Sequence, residues 1–427
     1  MKYKLSDINL SQDGKIPVPD VLHFVWVGDT NQVSIEYIDI WKKTNKDKDI
    51  YFWCDEYASL CQFLHHSIQE HVLHNNIENK YDTEIRIKNN AFNYIFPKLK
   101  QGLAFDKLVV EFLSVNNIPC KELAPSVLNP RLKTKGVVTK NITELFNCEL
   151  SDFMKYYYYE IILRGNLASA SDIVRLLIIY RYGGIYIDVD TLPYTDNIFP
   201  KLNNFIEKEK IVEDDFLLLF KTRCILKKMS LLNFSDNEYL NYHKVKVETE
   251  KNTHQKIHTL IESDLAEFSL KKILPLGKLY VHKNLLSIGS LRRLKGIYFN
   301  SFISSHPRSK AVKIILRTMK KRYKFLERNN CIFDCYRGAI KISYLSRILT
   351  WRTELITKEY CVTSVLSGPG LIIEVLLGLA YELLDFERST EPSSIAEYMQ
   401  NDKYGIALFQ HNLDTPDGLC SSWRKQN

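Results

Sequence analysis

The sequence predicts an α/β fold built on a central sheet, and three observations carry that expectation. The chain opens with an alternation of strand, helix and strand. A later helix runs into a Gly-Gly break followed by a short apolar strand. The composition, 45% hydrophobic and 12% aromatic over 427 residues, suits a dense mixed core. Gly (16) and Pro (13) are sparse, which argues against disorder and against turn-rich β repeats.

The first strand is Val21-Leu-His-Phe-Val-Trp-Val27, a β-branched and aromatic run that follows Pro17 and Pro19 and closes at Gly28-Asp29. Ile35 to Trp41 has helical spacing, and Ile50 to Cys54 is a second strand ending at Asp55-Glu56. Nucleotide-binding sheets begin this way. Residues 58–150 read as a helical insertion, within which His65, His66, His71 and His74 form no H-E-x-x-H pattern and are better explained as a solvated helix face. Residues 237–270 are strongly charged and read as an exposed helical insertion. Leu371 to Leu384 contains Glu374 and is too short to span a bilayer, so a buried helix is expected there. No clean linker divides the chain, which reads as a polar segment over 1–16 and one domain over 17–427.

The net charge is +8, yet Lys and Arg read as spread along the chain, and no RNP-like, zinc-finger or basic-arm pattern occurs. Nucleic acid is therefore not expected as a partner. A basic face toward an anionic membrane (peripheral association), toward an acidic protein, or toward a nucleotide diphosphate fits the charge, which does not choose among them. The nine cysteines lack C-x-x-C spacing and lie in apolar stretches, the pattern of buried free thiols in a reducing compartment. Met1 to Gly14 has no apolar core, so no signal peptide is expected, and no transmembrane segment is apparent.

The chemistry concentrates in Asn166-Leu-Ala-Ser-Ala-Ser-Asp-Ile-Val-Arg175 and Gly183-Gly-Ile-Tyr-Ile-Asp-Val-Asp-Thr-Leu-Pro193. Ser171 and Asp172 suit the first turns of a helix that Gly183-Gly184 stops. Ile185-Tyr-Ile187 then forms a strand, and alternation should send Asp188 and Asp190 to one side at the sheet's C-terminal edge. Two hard carboxylates there favour Mn²⁺ or Mg²⁺ held together with phosphate oxygens. An isolated D-x-D carries little information; the compound pattern, helix with S-D-x-x-R and then G-G-x-Y-x-D-x-D, is specific.

Taken whole, these stretches closely resemble the catalytic domain of the large clostridial glucosylating toxins and related bacterial effectors. Leu22 to Gly28, Phe299-Asn-Ser-Phe-Ile-Ser304, Lys321 to Leu326, Ser364-Val-Leu-Ser-Gly-Pro-Gly370 and Ser421-Ser-Trp423 follow in the family's order. The resemblance implies a GT-A type nucleotide-sugar transferase with a mixed central sheet and helical insertions. Trp26 would stack on uracil, with Val25 and Leu167 lining the nucleoside pocket. Ser171 would belong to the nucleotide-sugar site, with Asp172 and Arg175 binding donor sugar and phosphate. Tyr186 would lie beside the nucleotide, Asp188 would touch ribose and sugar hydroxyls, Asp190 would ligate the metal, and Asn300 would hold the sugar. Ser421 would complete the metal shell from a mobile lid over about 411–427, where the Trp423 indole would donate to the leaving oxygen.

Two departures from the family stand out. Its metal-ligating Glu five residues before the lid Trp is Gly418 here, with Asp417 beside it as the substitute. The opening strand starts at residue 21, leaving no room before it for the family's N-terminal membrane-guiding bundle, so a secretion machine or another anchor is implied.

The implied reaction is metal-dependent, retaining transfer of one hexose or N-acetylhexosamine from UDP-glucose or UDP-N-acetylglucosamine. The resemblance suggests a host small GTPase as acceptor, and a monomeric secreted effector acting in the host cytosol. A glycan- or lipid-directed transferase and a catalytically weak nucleotide-sugar-binding module are the alternatives. No carboxylate suits a double displacement, which favours departure and attack on one face. Phe299 and Ser301 flank Asn300, and the room beside Ser301 leans the donor toward UDP-N-acetylglucosamine.

Overall fold

A computed structural model describes residues 14–33, 35–55, 58–74, 79–119, 132, 136–193, 195–211, 215–228, 251–290, 295–329, 332, 365–400 and 407–409. Strand β1 (Lys15–Pro17) precedes β2 (Val21–Trp26), helix α1 (Ile35–Thr44) and β3 (Asp49–Cys54), the alternation expected from the sequence. Helices α2 (Cys61–His74), α3 (Lys80–Leu99) and α4 (Phe105–Val115) follow. The segment expected to be a helical insertion also contains a strand, β4 (Val138–Asn141), which pairs in parallel with β3. Val138-Thr-Lys-Asn141 is short and polar at an edge, so it lacks the apolar run that marks a buried strand.

Helix α5 (Asp152–Tyr158) continues into a π-helical turn over Tyr159–Arg164, then α6 (Leu167–Tyr182) and β5 (Gly184–Ile187). Helices α7 (Pro200–Lys208), α8 (Asp215–Lys228) and α9 (Lys251–Ala266) form a group with its own apolar cluster. In α9, Ile257, Ile261 and Leu265 are buried, so its described part is one-sided rather than wholly exposed. Strands β6 (Tyr280–His282), β7 (Leu286–Ser290) and β8 (Tyr298–Ser305) lead to α10 (Lys310–Arg328), α11 (Pro369–Leu383), α12 (Pro392–Met399) and β9 (Ala407–Phe409).

Seven strands form one sheet in the order β4-β3-β2-β5-β8-β7-β9, and β1 pairs with β6 in a separate ribbon. Only β8 runs against its neighbours, so the sheet is mixed. Alternation sorts the side chains cleanly. Leu22, Phe24, Ile185 and Ile187 pack with α1 on one face, while Val25 and Tyr186 join α6 and α10 on the other. The apolar stretch is a helix as expected, but α11 is buried along one side, through Leu371, Ile372, Leu376, Leu379 and Ala380, and no helix among the described residues is long and apolar enough to cross a membrane.

The Gly-Gly break has a steric cause. Gly183 and Gly184 both have positive φ, and a Cβ would lie 2.5 Å from Pro307 Cδ at the first and 2.4 Å from Val21 Cγ1 at the second. The chain can therefore leave α6 and enter the sheet beside β2 at once. Among the four histidines of α2, His65 departs from the expected solvated face, because its Nε2 lies 2.7 Å from the Ile161 carbonyl of the π turn. Cys54, Cys61 and Cys224 are buried free thiols.

Candidate active site

From β2 the chain steps outward through β3 and β4, then returns to β5 on the other side of β2. In open α/β sheets a crevice forms beyond the strand C-termini at such a reversal of direction. Trp26 ends β2 and Asp188 directly follows β5, so the topology alone brings both to this point.

Helix α6 brings Arg175 to Asp188. Asn166 caps α6, its side chain accepting from the Ser169 backbone N–H at 3.0 Å, which fixes the start of the helix behind Gly165. One helical turn places Asp172 and Arg175 on the same side, and both are buried. The Arg175 guanidinium is the hub. It lies 3.3 Å from Asp172 Oδ1 and 3.3 Å from Asp188 Oδ1, and it donates to the Asn300 carbonyl at 2.8 Å and to Ser171 Oγ at 3.3 Å. It also covers the Tyr186 ring at 4.6 Å, while the Tyr186 hydroxyl bonds the Asp188 carboxylate. Its Nε is buried with no hydrogen-bond partner among the described residues, a donor suited to an anionic oxygen.

The strand opposite supplies Asn300, whose Nδ2 donates to Asp172 Oδ1 at 2.8 Å. A regular strand could not do this. Ile288 pairs with Ile303 but the next residue, Gly289, pairs with Phe299, so residues 300–302 bulge out of the β7–β8 ladder, while Phe302 stays paired with Ile187 of β5. Tyr298 and Ile303 consequently reach the same apolar cluster although they are five positions apart, and Asn300 turns toward α6.

Asp188 and Asp190 do not sit on the strand. They occupy a turn after Ile187, closed by the Thr191 N–H donating to the Asp188 carbonyl at 3.0 Å. The turn is held from both sides, by the Asp188 N–H on the Ser301 carbonyl at 2.9 Å and by Trp41 Nε1 on the Thr191 carbonyl at 2.7 Å. Simple alternation is thus not what aims the two carboxylates, although both act electrostatically on Arg175. Burial disfavours the Arg175 cation, but Asp188, Tyr186, Asp172 and Asp190 outweigh it and push its pKa up. Burial pushes the Asp172 carboxyl up to about 6, against the pull of Arg175.

No group of three His, Cys, Asp or Glu able to hold a metal occurs among the described residues. Two carboxylates on an accessible turn, Asp188 with 28% of its side chain exposed, still fit a hard divalent ion that takes further oxygens from phosphate.

A family model of the TcdA/TcdB catalytic glycosyltransferase domain matches residues 20–358. The chain belongs to that family. Its relatives include Cytotoxin-L of Paraclostridium sordellii (29% identical over 244 residues, 52% of this chain and 10% of the toxin). Toxin B of Clostridioides difficile is 26% identical over 456 residues, covering 94% of this chain and 18% of the toxin. The chain thus spans less than a fifth of these curated relatives. Among solved structures, the catalytic domain of alpha-toxin from Clostridium novyi superposes with a TM-score of 0.62 at 20% identity, over 99% of this chain and 83% of that one. The UDP-bound glycosyltransferase domain of the YGT toxin gives 0.57 at 17% identity, over 95% and 82%. The GT-A fold expected from the sequence is therefore present, and the chain is a glycosyltransferase domain.

Within this TcdA/TcdB-type domain, Asp172, Arg175, Ser171, Tyr186, Asp188 and Asn300 form one cluster. Asp190 follows in the same turn, and Trp26 ends the neighbouring strand. Trp26 is half-buried and donates from Nε1 to the Asp29 carbonyl at 2.8 Å, with its ring on the α1 face. Leu167 is also half-buried, 3.2 Å from where a Cβ on Gly28 would stand, at the edge of a cleft with Cys61, His65 and Gly165. Val25, by contrast, is core, and Tyr186 is buried beneath Arg175, so the latter faces the mouth through its hydroxyl bond to Asp188. Asp417, Gly418, Ser421 and Trp423 lie outside the described residues.

One member of the cluster lies in the Ser364–Gly370 stretch that follows the family's order, but neither composition nor spacing assigns it a role. Ser367 is buried and donates to Asp172 Oδ2 at 3.2 Å, while its Oγ lies 3.0 Å from Ser169 Oγ. A serine before Gly-Pro at a helix start is so common that nothing local distinguishes it.

Proposed function

We propose that this domain transfers a single sugar from a UDP-sugar to a protein acceptor with retention of configuration, as a bacterial toxin or effector in a host cell. The observation that carries the reading is the buried hub in which Arg175 joins Asp172, Asp188 and the Asn300 carbonyl at the reversal point of the sheet. Trp26 stacks on the uracil, with Leu167 at the edge of the nucleoside pocket. Arg175 presents a planar fork to the diphosphate, and Asp172 with Asn300 receives the sugar hydroxyls. Asp190 ligates Mn²⁺ or Mg²⁺, with Asp417 and Ser421 completing the shell. When bound, the ion neutralises charge on the departing diphosphate. Trp423 donates to the leaving oxygen, and the chain otherwise acts by positioning and charge stabilisation. The acceptor proposed is a hydroxyl of a host small GTPase.

The donor proposed is UDP-N-acetylglucosamine, because Ser301 leaves volume beside the sugar whereas Phe299 is held at the end of the bulge opposite Gly289. The test is UDP release by purified protein from UDP-N-acetylglucosamine and UDP-glucose, with Mn²⁺ and with chelator. Release that needs metal and prefers the N-acetylated donor is expected, with Ser301→Gln shifting preference toward glucose. Tight UDP binding without release from any UDP-sugar would instead make the chain a binding module.

A further inference from the structure

We infer that the outward face of α10 is a docking surface for a membrane carrying anionic phospholipid headgroups. Lys and Arg occur along the whole chain, but the balance of charge is uneven. α10 holds eight Lys and Arg against one Glu, a net +7 in 19 residues, while the whole chain has +8. Nearly all the net charge of the protein therefore sits on one helix.

The arrangement of these charges is one-sided. Ala311, Val312, Ile315, Leu316, Met319, Tyr323 and Leu326 are buried against the core. Lys310, Lys313, Arg317, Lys320, Lys321, Lys324 and Arg328 recur at intervals of three and four, which makes one stripe along the opposite face. Arg317, Lys321, Lys324 and Arg328 are exposed. The stripe extends beyond the helix, because Lys320, Lys324 and Lys100 at the end of α3 all act on Asp152, whose carboxyl they hold below its usual range. Lys320 ion-pairs with Asp152 of α5, but like charges three and four apart along the stripe repel and lower helix stability, so helix stability does not account for a run of this density.

Lipid headgroups fit this face better than a protein does. A protein interface draws its affinity from buried aromatic or aliphatic anchors, and none of the exposed large hydrophobic residues among those described lies on α10. A rigid helix of this length is a straight rod about 28 Å long. Spread anionic headgroups need no pocket, only a row of cations within a Debye length. The inference does not depend on the catalytic reading.

The test is flotation of the full chain with vesicles of phosphatidylcholine, with and without phosphatidylserine, at physiological salt. Wild type should partition onto the anionic vesicles alone and be released at about 0.5 M salt. The quadruple variant Arg317→Gln, Lys321→Gln, Lys324→Gln, Arg328→Gln should bind about 1,000-fold more weakly with an unchanged thermal transition. The Lys321→Arg, Lys324→Arg variant should bind as wild type. Equal partition of wild type and the quadruple variant, loss of binding in the arginine variant, or displacement from anionic vesicles by equimolar acidic polypeptide or duplex DNA would each overturn the inference.

Discussion

Asn300 Nδ2 and Asp172 Oδ1 meet at 2.8 Å, a bond that ties the bulge of β8 to the second turn of α6 across 128 positions of sequence. The same asparagine offers its carbonyl to Arg175, so one residue orients both the carboxylate and the cation. Removing the amide should leave the nucleotide contacts in place and loosen the part of the site assigned to the sugar. Asn300→Ala is expected to lower UDP-sugar turnover about 10-fold to 100-fold while the Kd for UDP changes less than about threefold. Calorimetry with UDP alongside steady-state turnover separates the two, and a variant defective only in UDP affinity would assign Asn300 to the nucleotide instead.

The opposite oxygen of Asp172 is held by Ser367, at the entry to α11. That entry is itself fastened, since Arg322 of α10 bonds the Val365 carbonyl and Glu374. Ser367→Ala should leave Asp172 held through Oδ1 alone, by Asn300 and Arg175, and so less firmly oriented, lowering kcat about 10-fold with little change in KM. Ser367→Thr keeps the hydroxyl and should restore most of the rate. If threonine rescues nothing while both variants melt alike, the hydroxyl is not what positions the carboxylate.

The turn after β5 carries the remaining charge. Asp188→Asn with Asp190→Asn should abolish metal-stimulated turnover, a loss of about 10³-fold or more, because the carboxylates supply the described oxygen donors for the ion. The fold should survive, since the turn is anchored by backbone bonds to Ser301 and from Trp41 that the substitutions leave untouched. Chelator resistance of the wild-type reaction would contradict the assignment.

What the sequence made legible follows from how local each signal is. The strands β2, β3 and β5 show as apolar runs because both of their faces are buried, and α6 shows by its period and its Gly-Gly stop. The D-x-D pair was placed at the correct end of β5, but alternation was the wrong reason: a turn pinned by Trp41 and Ser301 aims it. The bulge that swings Asn300 toward Asp172 depends on register with β7, which no spacing within β8 encodes. Ser367 reaches the cluster only through the packing of α11 against α10, and β4 joins the sheet through pairing rather than hydrophobicity. Non-local contacts account for each of these.

His23 gives the fold a pH dependence of predictable sign. It is fully buried in β2, where Nδ1 accepts from Trp53 Nε1 at 3.1 Å and Nε2–H donates to the Gly183 carbonyl at 3.0 Å. Burial pushes its pKa down to about 4, with the Gly183 bond opposing. The unfolded chain protonates near pH 6.5 while the folded one does not, so stability from this group is present above about pH 6.5 and is lost as pH falls toward 4. Between about pH 7.5 and pH 5 the loss is about 2 kcal/mol. Asp172 works the other way: its carboxyl is raised to about 6, so its burial cost is relieved as pH falls through that value, which flattens the wild-type curve. Comparison with His23→Phe isolates the histidine. The variant will be less stable at neutral pH, because Trp53 and Gly183 lose their partner, but its stability should fall about 2 kcal/mol less on acidification, as read by urea unfolding at the two pH values. Equal losses in wild type and variant would mean that His23 is protonated in the folded protein.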